Sequence, residues 1–212
     1  MPQELVWLLP ALAALVDWYA VARDDRRLEL AAKPAVLVLL IFAAVVLGAA
    51  DSPEGRWLLV ALFFGLLGDI ALLSESVPRF LAGVGAFLLG HLAFVVCFLV
   101  LGLSARWWSV LGLVALAVAL GTTRRVPSQV HVAVGARVSV PVGVYMVVIA
   151  AMLVCAWLTG ELLVAVGASV FVASDSILSV NRFVRPLPQA RLAIMVTYHV
   201  GQALIVAGVL AA

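Results

Sequence analysis

Apolar runs of near-helical span length, broken by short clusters of charge, Pro and Gly, repeat along all 212 residues. About 20 helical residues cross a hydrocarbon core of roughly 30 Å. The pattern therefore predicts transmembrane helices at Leu5–Val21, Pro34–Ala50, Trp57–Leu73, Phe80–Leu101, Trp107–Leu120, Val138–Leu158, Glu161–Val180 and Leu192–Leu210. The fifth is the shortest. Its length suits a re-entrant segment as well as a crossing in a tilted bundle or thin bilayer. Glu4 and Asp17 precede any Lys or Arg, so the first stretch reads as a retained span rather than a cleavable signal peptide.

Composition agrees with lipid as the solvent. Hydrophobic residues make up 66% of the chain and charged residues 11%, with a mean hydropathy of +1.24, which leaves too little polar surface to cover a soluble globule. The expected fold class is an all-α membrane protein, a bundle of eight helices forming one domain over residues 1–212. Charge then orients it. With eight spans, the odd-numbered loops hold Lys33 and ten arginines, and only Arg56 and Arg106 fall in the even-numbered ones. By the positive-inside rule this puts both termini outside, and the alternation requires the fifth segment to cross or re-enter. The basic residues are scattered over loops with no aromatic stripe between them, so nucleic acid is not an expected partner. Cys97 and Cys155 lie in apolar runs and form no disulfide framework. One lysine against twelve arginines reads as a GC-rich bacterial genome, and hence a cytoplasmic membrane.

The informative residues are the polar ones inside the spans. Asp69 is twelve residues into the third span and Asp175 fourteen into the seventh. These spans run in the same direction, so both carboxyls sit towards the cytoplasmic end. His91, Tyr145, His199, Gln202, Asp17 and Lys33 fall in or beside the same zone. An ionised side chain at the bilayer centre costs about 2.5 kcal/mol or more, so each needs a partner, a cavity or the bundle interior. Asp69 and Asp175 are thus functional candidates, although a lone carboxylate could also snorkel or cap a helix end. The histidines also fit as satisfied core residues, Tyr145 as an interfacial anchor, and Lys33, followed by Pro34, as a headgroup contact at a helix start. Trp7, Trp18, Trp57, Trp107, Trp108 and Trp157 read as an aromatic belt.

The halves echo each other. Pro34 and Pro141, Asp69 and Asp175, and His91 and His199 are separated by 107, 106 and 108 positions. GDIALLS at Gly68–Ser74 also parallels SDSILSV at Ser174–Val180. Two explanations stand: parallel four-span repeats at 1–106 and 107–212, or coincidence in a chain rich in Ala, Val and Leu.

Gly65–Phe98, GLLGDIALLSESVPRFLAGVGAFLLGHLAFVVCF, resembles the central signature of the YhhN-type lysoplasmalogenase family of eight-span membrane proteins. Lys33-Pro34, PVGVYMVVIAAM at Pro141–Met152, FVASDSILSVNRF at Phe171–Phe183 and YHVGQALIVAG at Tyr198–Gly208 follow in the family's order. The resemblance implies hydrolysis of the vinyl ether bond of a lysoplasmalogen, a lysophospholipid, giving a fatty aldehyde and a glycerophospho-base with water as co-substrate. Such chemistry needs a general acid, a nearby anion and a positioned water, and two neighbouring carboxyl groups can divide acid and base roles. Asp69 and Asp175 are assigned these roles jointly. His91, Tyr145, Asn181, His199 and Gln202 are candidate supporting or substrate-binding groups, and Lys33, Arg182 and Arg185 candidate phosphate contacts at the cytoplasmic rim. No cofactor and no metal are implied. Two competitors remain: an ion- or proton-coupled transporter, since intramembrane acids also mark ion pathways, and a metal-dependent lipid hydrolase built on two Asp and two His, for which the chain lacks an HExxH motif.

Overall fold

Turn chemistry at the charged breaks sets where the helices begin. Asp25 accepts from the Leu28 amide at 3.1 Å and starts α2 (Arg26–Val46) behind α1 (Gln3–Ala22). Ser52 caps α3 (Pro53–Leu72) by accepting from the Gly55 amide at 3.1 Å, with Pro53 in the first turn where its missing N–H costs nothing. Ser76 does the same for α4 (Val77–Leu101). A 3₁₀ turn at Trp107–Val110 leads into α5 (Leu111–Thr123), followed by α6 (Val126–Val134), α7 (Ala136–Leu158), α8 (Leu162–Phe183) and α9 (Ala190–Ala211). These elements come from a computed structural model that describes residues 3–74 and 76–212. Among the described residues every regular element is helical, and eight helical segments are long and apolar enough to span a membrane. With these eight spanning segments among its described residues, the protein is an integral membrane protein.

Two segments differ from the sequence expectation. The second span begins eight residues before Pro34 because Asp25 supplies its cap, which leaves Lys33 and Pro34 two turns inside the helix. The fifth is composite. The hydroxyls of Thr122 and Thr123 bond back to carbonyls of the preceding turn, the chain turns at Arg124–Arg125, and α6 continues, so the full segment is Trp107–Val132 rather than Trp107–Leu120. Val126 and Val130 of α6 bury against Phe80, Val138 and Val142, closing the bundle beside its charged loops.

The tightest packing joins α3 to α4 and α8 to α9. At the second pair the backbones nearly touch: a Cβ on Gly167 would meet the Ile205 amide nitrogen at 2.8 Å, and one on Gly201 the Phe171 amide nitrogen at 2.8 Å. Small residues permit such approaches where lipid supplies no hydrophobic drive between helices. The core runs through Leu37, Leu58, Phe94, Met152, Phe171 and Ile205. Leu12, Val118 and Val147 point outward on faces that suit acyl chains.

Candidate active site

The six helices α2, α3, α4, α7, α8 and α9 converge near their charged-loop ends around one cavity, which encloses about 690 Å³ counting its mouth. Asp69, Asp175, Lys33, Tyr145, Tyr198 and Arg182 all line it, among apolar neighbours such as Phe80, Phe87 and Phe183. That lining, an apolar wall with a few convergent polar groups, is typical of a small-ligand site.

The two carboxyl groups have different company. Asp69, 1% exposed, lies with Oδ1 3.4 Å from the Lys33 ammonium, while its Oδ2 accepts a 2.9 Å hydrogen bond from the Tyr198 hydroxyl. Its negative charge is thus met by a cation and a phenol from two other helices. Asp175 accepts a hydrogen bond from the Tyr145 hydroxyl. The two aspartates line the same cavity from different helices. Arg182 stands at the mouth with its guanidinium 4.0 Å from the Phe80 ring centre, a cation–π contact that holds the head towards the cavity rim.

The other sequence candidates are distributed around this centre. His91 is buried one layer deeper, with its ring edge-on to Tyr145 and Phe171. Its Nδ1 donates to the Phe87 carbonyl, which fixes the tautomer, and Nε2 has no hydrogen-bond partner among the described residues. Gln202 is also buried, its amide beside the Tyr198 hydroxyl, so it stands behind Asp69 rather than on the cavity wall. His199 lies on another face of α9, where Nδ1 accepts a 3.1 Å hydrogen bond from the Trp18 indole, and it does not reach the cavity. Asn181 accepts from the Leu187 amide at 2.9 Å and ties down the loop before α9. Arg185, in the loop after α8, lies outside the cavity and lines a separate groove.

Sequence reasoning missed Tyr198, which adjoins His199. The signal was available in helical spacing: Ile194, Tyr198 and Gln202 recur every four residues, share one face of α9 and look towards Asp69. Among the described residues no group of three His, Cys, Asp or Glu side chains stands together in a metal-binding cluster.

Two relatives named lysoplasmalogenase, from Mycobacterium bovis and Mycobacterium tuberculosis, are each 35% identical to this chain over 190 residues, covering 85% of this chain and 70% of the relative. No solved structure matches the chain. The match to the YhhN family runs over residues 28–209, from the first turn of α2 almost to the end of α9, and so includes all six cavity-forming helices. With a match of that extent, the protein belongs to the YhhN family.

Proposed function

We propose that the protein hydrolyses the vinyl ether bond of lysoplasmalogens, with Asp175 as general acid and Asp69 as the anion and general base. The observation that carries this reading is the unequal environment of two aspartates on one intramembrane cavity. The Lys33 ammonium faces Asp69, an arrangement that suits a carboxylate, whereas Asp175 faces a neutral phenol, an arrangement that suits a carboxyl group carrying a proton. The name of the two mycobacterial relatives, lysoplasmalogenase, supports the substrate class.

In the reaction, Asp175 gives its proton to the outer alkene carbon, and the ether oxygen's lone pair stabilises the resulting oxocarbenium ion. The Asp69 carboxylate stabilises that cation and takes a proton from the water that attacks the carbon bearing the ether oxygen. The hemiacetal then collapses to a fatty aldehyde and a free glycerol hydroxyl, and the proton returns from Asp69 to Asp175. Tyr145 and Tyr198 orient the two carboxyls, His91 backs the Tyr145 ring, Gln202 backs Tyr198, and Arg182 meets the substrate phosphate at the mouth. The protein needs no cofactor for these steps.

The test offers purified protein a lysoplasmalogen and an ester lysophospholipid in deuterated water. The expected products are aldehyde with one deuterium on the carbon beside the carbonyl, from the first lipid, and no fatty acid from the second. Fatty acid release without aldehyde would reject the reaction.

The same reading places the protein in a bacterial cytoplasmic membrane, both termini outside and the cavity in the cytoplasmic half. Cysteine labelling should find the turn at Arg124–Arg125 accessible from inside and the C-terminus outside, and a cytoplasmic C-terminus would overturn this orientation. It also takes 1–106 and 107–212 as parallel four-span repeats. The tight pairs α3–α4 and α8–α9, each formed on an aspartate-bearing helix, support that view.

A further inference from the structure

Two more cavities adjoin the Asp69–Asp175 site and lead away from it towards lipid. The first shares Tyr145, Asp175 and Ser179 with the site and extends between α5, α7 and α8 past Leu116, Met146 and Ile149. The second shares Ala119, Val172 and Ser176 with the first and opens as a groove between α5 and α8. On α8 the groove follows one helical stripe, Ser169, Val172, Ala173, Ser176, Ile177 and Val180. From Ser169 to Val180 this stripe rises roughly 16 Å, about the depth of one leaflet's hydrocarbon.

The lining is apolar in effect as well as in composition. Three hydroxyls reach the groove, and each already donates to a carbonyl one turn back: Ser169 to Ala165 at 2.8 Å, Ser176 to Val172 at 2.8 Å and Thr122 to Val118 at 2.9 Å. None therefore demands a polar ligand. Ala115, Ala119 and Ala173 keep the trough open, and Val118 leaves its lip exposed on the lipid side. Arg185 marks the end of the groove nearest the charged loops. Only the small cavity lined by Tyr145, Asp175, Ala119 and Val172 separates this groove from the Asp69–Asp175 site, and the groove's length suits a single lipid chain.

We propose that the alkenyl chain of the single-chain lipid substrate leaves the Asp69–Asp175 cavity past Ala119, Val172 and Ser176 and lies in the α5–α8 groove. The groove selects chain length and returns the aldehyde sideways into the bilayer. This assignment rests on the vinyl ether reading for its substrate, while the groove's binding of a lipid chain does not. Bulk at the neck should shorten the preferred chain, because contact with even one methylene is worth about tenfold or more in kcat/KM.

The experiment uses the full chain in detergent with Ala119→Trp and, separately, Ser176→Leu, and measures kcat/KM for lysoplasmalogens of long and short alkenyl chain. In parallel, wild-type protein is irradiated with an ester lysophosphatidylcholine carrying a diazirine at mid-chain, and the labelled peptides are mapped. The long-to-short ratio is expected to fall at least about tenfold in each variant, with label on the peptides of α5 and α8. An unchanged ratio overturns the proposal, and if label still falls on α5 and α8 the groove merely holds a bilayer lipid unconnected with turnover. Label confined to other helices also overturns it, and this arm decides the matter if the variants do not fold. Wild-type protein that labels at α5 and α8 but cleaves no lysoplasmalogen would keep the groove as a lipid-chain site and reject the vinyl ether reading instead.

Discussion

Asp69→Asn and Asp175→Asn are each expected to lower turnover of a lysoplasmalogen at least about a hundredfold, since general acid or base catalysis is typically worth about 10²–10⁴ in rate. The replacements keep the side-chain shape, and at Asp175 the amide oxygen can still accept from the Tyr145 hydroxyl, so that variant should fold with little loss of stability. What it loses is the proton. The double variant should be hardly slower than either single one, because two groups that pass one proton between them act as a unit, and removing the second leaves little more to lose. Steady-state kinetics on protein checked by size-exclusion profile and melting temperature measure this. Folded single variants that each keep more than half of wild-type turnover would defeat the paired-carboxylate mechanism.

Lys33→Met should have the second largest effect, and on stability as well as rate. The Lys33 side chain is nearly fully buried, with its ammonium on the equally buried Asp69 carboxylate. Breaking such a pair from one side leaves an uncompensated charge in a medium that solvates it poorly, a cost of about 3–5 kcal/mol. Neutralising the partner as well should remove most of that cost: Lys33→Met combined with Asp69→Asn is expected to regain much of the lost stability and none of the activity. Denaturation midpoints of the two single variants and the double variant test this, and kcat should fall more than KM rises. A residue that only met a headgroup phosphate would behave otherwise, raising KM with stability intact and showing no rescue by Asp69→Asn.

The eight spans and the depth of the two aspartates could be read directly from the chain, because the free energy of placing an apolar run in lipid is nearly a sum over its own residues and needs no partner. The ordered motifs were similarly sufficient for the family, as the match over residues 28–209 bears out. The composite fifth segment is an intermediate case. Its apolar run was visible, but its extension through α6 depends on Val126 and Val130 finding Phe80, Val138 and Val142 on other helices.

Which polar residues share a cavity was a different matter. Tyr198 and His199 are neighbours in sequence and equal in depth, yet they point about 100° apart on α9, one at Asp69 and the other at Trp18. A helix whose apolar surface extends nearly all round carries no hydrophobic stripe strong enough to fix its rotation. The backbone contact at Gly167 and Gly201, made only when α8 and α9 pack, fixes it instead. Lys33 was expected at a helix start facing headgroups. The Asp25 cap and the bundle around α2 put it two turns inside, against a carboxylate 36 positions away in the chain. The sequence by itself determined which segments are apolar enough to cross lipid and where along its helix each charge would lie, since those energies are local. The tertiary structure alone decided which charges meet, because rotation and pairing depend on surfaces from distant parts of the chain.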